Sequence, residues 1–234
     1  MVDNIIRLDI NTKEFLQLSL PCAEDSLTAF DFVDVSYQGP HIQHILFADN
    51  YGETALVRLE DALKLALEDK LNLDASLSLG LRETDIGYLS NIYSHKMGSE
   101  YEYEIHEKSF EQFLNKNLTG KTYFVCTKNN NEKQEWIGLD YQLWSGKGAG
   151  PQTWLYNKSG KIILEISPSY KWHYRDPEPN EQAISYEEFM QSYKPLVITE
   201  ISKETAGKWL IKTRELLNTI DTNTLKLRPG CSRP

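Results

Sequence analysis

Two carboxylates set among tryptophans in the middle of the chain are the arrangement best suited to chemistry. From Trp136 to Trp144 the residues alternate. Ile137, Leu139, Tyr141 and Leu143 fall on one side, and Trp136, Gly138, Asp140, Gln142 and Trp144 on the other, because successive strand side chains face opposite ways. Glu165, on a following run, is turned away from Leu164 and Ile166, so Asp140 and Glu165 are expected to share the aromatic face. Two carboxylates on such a face are what glycoside hydrolysis uses, one as acid and the other as base or nucleophile. Against this stands a structural expectation. A sheet needs its second face covered, and large aromatics beneath a helix do that equally well.

The aromatic stretch continues to Trp172 and Tyr174, and Asp176 and Glu178 follow in a proline-interrupted loop. With Trp136, Gln142 and Trp144, these four make up the candidate binding set, and Asp140 with Glu165 the catalytic alternative. Other motifs carry less. His41 and His44, with Asp49 nearby, have ligand chemistry but a spacing of three suited to a helix face, whereas their segment reads as a strand; no metal site is assigned there. Gly146 to Gly150 lacks the rest of a phosphate-binding loop and precedes no helix, so it reads as a strand connection. No hydrolase elbow, zinc-protease helix motif or paired-cysteine redox motif occurs, and no cofactor is expected.

Composition narrows the partners. A formal net charge of -9 opposes binding to nucleic acid or an anionic membrane and favours a basic protein partner. No apolar run approaches a membrane span and no basic-then-apolar leader opens the sequence, so a cytoplasmic protein is expected. Cys22, Cys126 and Cys231 are odd in number and far apart, which fits reduced thiols, and the sequons at Asn117 and Asn157 then carry no meaning. Oligomeric state leaves no trace in the sequence.

The elements that must position these residues read as an α+β protein built on a mainly antiparallel sheet. A hairpin is expected over 5–20, strands over 29–37 and 41–48, and a helix over 54–71 capped by Thr54. Residues 72–91 are ambiguous, with strand-like alternation at 77–81 and a short helix near 83–93. Further on come a strand with an acidic face over 100–105, a capped helix over 109–117, and a meander over about 121–167. Helices over 186–194 and 203–220 flank a strand at 196–201, and the last of them presents Ala206, Trp209, Leu210, Thr213, Leu217 and Ile220 as one stripe. The likeness of 109–114 to 185–190 raises a duplication, against convergence of capped helices. Halves of 1–118 and 119–220 with a flexible tail over 221–234 are the expected organisation, a single combined domain being the alternative. The leading functional expectation is a non-enzymatic binding protein acting through acidic and aromatic surface, in the manner of a toxin-neutralising immunity protein. An enzyme centred on the tryptophan face is the rival.

Overall fold

The computed structural model describes residues 4–72, 86–92, 141–147, 150–173, 177 and 179–227. Its architecture is α+β, with two four-stranded antiparallel sheets. The first sheet has the order β1 (Asn4–Asp9), β2 (Phe15–Leu20), β3 (Asp34–Gln38), β4 (Gln43–Phe47), and the second the order β5 (Gln142–Ser145), β6 (Gln152–Lys158), β7 (Lys161–Ser167), β8 (Val197–Ile201). Helix α1 (Gly52–Leu67) follows the first sheet, helical residues 86–92 form α2, α3 (Tyr186–Ser192) lies between β7 and β8, and α4 (Lys203–Lys226) ends the described chain. The strands expected at 77–81 and 100–105, the first part of the meander over 121–140, the helix at 109–117 and the division at 118/119 lie outside the described residues, as does the first member, 109–114, of the possible duplication.

Alternation builds the first sheet. Ile6 and Leu8 of β1 pair with Leu18 and Leu16 of β2, which pair with Val35 and Tyr37 of β3, and all six are buried on one face. Asn11 turns the first hairpin, its Oδ1 accepting from the backbone N–H groups of Lys13 and Glu14 at 2.9 and 3.1 Å. In the second sheet Ser159 and Gly160 (φ 52° and 75°) join β6 to β7, the two left-handed residues that a tight hairpin requires.

The helices lock the two sheets together. Helix α1 leaves the first sheet and lies against β5 and β6 of the second. Helix α4 leaves the second sheet and runs antiparallel to α1, with ion pairs Lys203–Asp69 at 2.6 Å and Arg214–Glu60 at 3.0 Å. It then reaches the first sheet, where Trp209 Nε1 donates to the Asp9 carbonyl at 3.0 Å. Buried side chains of both sheets and both helices make one continuous cluster.

Several boundaries differ from expectation. Helix α1 begins after Tyr51, not at a Thr54 cap, and no side chain caps it; a backbone bond from Gly52 N–H to the Asp31 carbonyl at 2.9 Å holds its start. It ends at Leu67 instead of Leu71 because Asp69 takes a left-handed conformation (φ 54°), and Lys70 and Asp69 donate back to the Leu65 and Ala66 carbonyls at 2.8 and 3.1 Å. Helix α4 runs past Ile220 to Lys226. Its last turns are anchored where Asn223 Nδ2 donates to the Asp25 and Leu27 carbonyls and the Ala29 N–H donates to Thr224 Oγ1 at 2.9 Å.

Candidate functional site

The described part of the tryptophan meander, residues 141–147 and 150–167, is covered on both faces. Its register explains why. Gln142 pairs with Trp154 but Trp144 pairs with Thr153, so a β-bulge at Leu143 breaks the alternation. Trp144 is thereby carried to the face of Thr153 and Leu155, beneath α1. There it is 3% exposed, and its indole N–H donates to the Ala55 carbonyl at 3.2 Å. Gln142 and Trp144, expected on one face, are parted by that one extra residue. Opposite Asn157 of β6 the neighbour is Asn72, and the Asn157 side chain bonds the Leu71 N–H at 3.1 Å and the Ala66 carbonyl at 2.9 Å. This asparagine, 1% exposed, splices the end of α1 to the sheet.

Glu165 lies on the other face, opposite Trp154, and has no solvent exposure. One carboxylate oxygen accepts from the Gly87 N–H at 3.0 Å and Ser167 Oγ at 2.6 Å; the other accepts from Tyr156 Oη at 3.0 Å. A buried carboxylate is costly unless donors surround it, and these three donors come from β6, β7 and α2. Glu165 thus holds α2 onto the sheet. Asn91 reinforces the attachment, its Nδ2 donating to the Pro168 carbonyl and its Oδ1 accepting from the Tyr170 N–H, both at 2.8 Å. Gly87 is obligatory in this contact, since a Cβ there would stand 2.1 Å from Ser167 Oγ.

Aromatic rings close the neighbouring surface. Tyr170 packs against Trp172, Tyr186 and Phe189 at centroid distances of 5.5 Å, and Phe189 leads on to Tyr193 at 6.0 Å. Burial raises the pKa of the Tyr170 phenol and, more strongly, that of Tyr186. Trp172 is therefore partly buried packing at the edge of this group. Trp136, Asp140, Tyr174, Asp176 and Glu178 lie outside the described residues. Of the expected set, the structure places Glu165, Gln142, Trp144 and Trp172, and it does not gather them at one open surface.

An exposed aromatic group stands elsewhere, at the start of α1. The segment 31–33 pairs with 50–52 through an antiparallel bridge, with the Val33 N–H donating to the Asn50 carbonyl at 3.2 Å. Val33 turns inward and is fully buried. Phe32 and Tyr51 turn outward, packed edge to face at 5.1 Å, and are 51% and 47% exposed. Phe30, two residues earlier, is 59% exposed. The bond from Ala29 to Thr224 brings the end of α4 to the same edge, where Leu225 and Leu227 are exposed. Between Lys13 and Arg58 the sequence has no lysine or arginine, while Glu14, Glu24, Asp25, Asp31, Asp34, Asp49 and Glu53 all fall there. That cation-free stretch was a readable signal, as was the break in alternation between Phe32 and Val33.

Among the described residues no group of three or more His, Cys, Asp or Glu side chains is placed to hold a metal ion. His41 is exposed, and His44 is half-buried and stacked on Tyr37. No described helix is long and apolar enough to cross a membrane. The class defined by this geometry is an α+β protein of two antiparallel meanders joined by paired helices. No protein-family model, curated protein or solved structure matches the chain.

Proposed function

We propose that this chain is a non-catalytic binding protein that docks a basic protein partner on the Phe30–Phe32–Tyr51 surface. The exposed aromatic group carries the reading. Aromatic side chains held rigidly at a surface are the residues that dominate interface energetics, because they bring large apolar area and have few rotamers to lose. Here the bridge to α1 fixes Phe32 and Tyr51 before any partner arrives. The flanking sequence is acidic, with Asp31, Asp34, Asp49 and Glu53 within two residues of Phe32 or Tyr51; Asp49 is paired with Lys147 at 2.5 Å, and Lys226 lies in the last turn of α4 beside Leu225 and Leu227. Acidic rims steer basic partners and speed encounter. Occupying a basic partner in this way is the action of a toxin-neutralising immunity protein.

The rival catalytic reading needs Glu165 available to a substrate, and its carboxylate is instead engaged by Gly87, Ser167 and Tyr156. The test is affinity capture from the source cells with the wild type and with the combined Phe30→Ala, Phe32→Ala and Tyr51→Ala variant. A basic protein retained by the first and released by the second, and by Asp34→Asn with Asp49→Asn at low salt, supports the reading. Equal retention by all three forms refutes it.

A further inference from the structure

A second binding surface lies along the flank of α1, away from the aromatic group. A cleft of about 400 Å³ opens between α1, the two residues Lys70 and Leu71 that follow its turn, and the start of β5. Its apolar side is Ala62, Leu65, Leu71 and the ring of Tyr141, which is fixed by a bond from its hydroxyl to the Asn72 carbonyl at 3.0 Å. Its polar side is Arg58, Lys70, Asp61 and the half-buried Gln142.

The charges are unevenly committed. Asp61 is paired with Lys64 at 3.6 Å and Lys70 with Glu68 at 2.6 Å. Arg58 has no ion-pair partner among the described residues, in a chain of net charge -9 where acids outnumber cations. A guanidinium beside an apolar wall suits a planar ligand with a carboxylate at one end, since the fork of N–H donors takes both oxygens while the flat body lies on leucine and tyrosine. Gln142 offers an amide to a polar edge of the same molecule. We propose that this cleft binds a small aromatic carboxylate, with Arg58 as its anchor and Tyr141 and Leu65 as its platform.

The experiment is calorimetric or NMR titration of the full chain with 2-naphthoate, with neutral 2-naphthamide as the matched control. The expected result is saturable binding of naphthoate with Kd below about 1 mM, weakened roughly tenfold by Arg58→Gln and less by Arg58→Lys, with naphthamide binding at least that much more weakly. Circular dichroism checks the fold of each variant, and Arg58 is exposed, so its replacement leaves the core intact. Failure to saturate at several times that concentration overturns the proposal. So does equal binding of acid and amide, or an unchanged Kd in Arg58→Gln. No residue is shared with the Phe30–Tyr51 surface, so either result leaves the docking of a basic protein to its own test.

Discussion

Replacing Glu165 by alanine separates a structural carboxylate from a catalytic one. The truncation strips the acceptor from three donors: the Gly87 N–H at 3.0 Å, Tyr156 Oη at 3.0 Å and Ser167 Oγ at 2.6 Å. The amide of Gly87 cannot turn elsewhere and loses about 1–3 kcal/mol as a buried unsatisfied donor. The two hydroxyls can rotate toward other acceptors, so each costs about 1 kcal/mol or less. Removing the methylenes leaves a cavity worth about 1 kcal/mol more. The sum is a loss of about 2–6 kcal/mol, a large share of the roughly 5–15 kcal/mol available to a folded chain. Glu165→Gln should cost less, about 1–2 kcal/mol, because its oxygen can still serve Gly87 and Ser167 while Tyr156 Oη accepts from the new amide. Urea unfolding followed by tryptophan fluorescence measures the totals, and hydrogen exchange at Gly87 reads the specific bond. A Glu165→Ala protein within about 1 kcal/mol of wild type, with the Gly87 amide still protected, would refute the reasoning. A catalytic carboxylate would give the opposite sign, since functional sites often sacrifice stability.

Gly87→Ala should destabilise by about 1–3 kcal/mol through the clash with Ser167, and adding Ser167→Gly should restore part of that in the same urea titration. Ser159→Asn should raise stability by roughly 0.5 kcal/mol, because asparagine tolerates the left-handed backbone of this hairpin better than serine does; a melting curve tests it. Burial lowers the pKa of His44, so the unfolded chain binds the proton more readily than the folded one. Stability from this group is present above the ordinary histidine range and declines as pH falls through the lower folded value, and His44→Gln should flatten that part of a pH–stability profile. Because each sheet is packed by the helix that follows the other, urea should unfold both in one transition, with fluorescence and far-UV dichroism coinciding.

Much of the fold was legible because its elements obey one local rule each. The hairpin of β1 and β2 follows from alternation of Ile6, Leu8, Leu16 and Leu18, and the inner stripe of α4 from a helical period, with Leu216 more deeply buried than the expected Leu217. Ser185 and Ser202 cap their helices as their chemistry suggests, accepting from the Glu188 and Thr205 N–H groups at 3.1 and 3.0 Å. The start and end of α1 were not legible for a related reason. Its start is held by the Asp31 carbonyl, a backbone group supplied by a bridge distant in sequence, and its end by an aspartate in a conformation usually left to glycine.

Within the expected set, Gln142 and Trp144 are parted by a single physical event, the bulge at Leu143, while Glu165 is closed off by α2. Strict alternation puts Gln142 and Trp144 on one face, and one unpaired residue sends Trp144 beneath α1 while Gln142 stays at the rim of the flanking cleft. Bulges carry no dependable composition, so periodicity alone cannot reveal one. Charge patterning is less fragile than register. The stretch between Lys13 and Arg58 keeps its acidic character whichever way its strands pair, and within it the inward Val33 forces Phe32 outward across the bridge. Aromatic side chains left outside a well-filled core, on a segment without cations, are a better place to test for a partner than tryptophans at its centre, because the core does not need them.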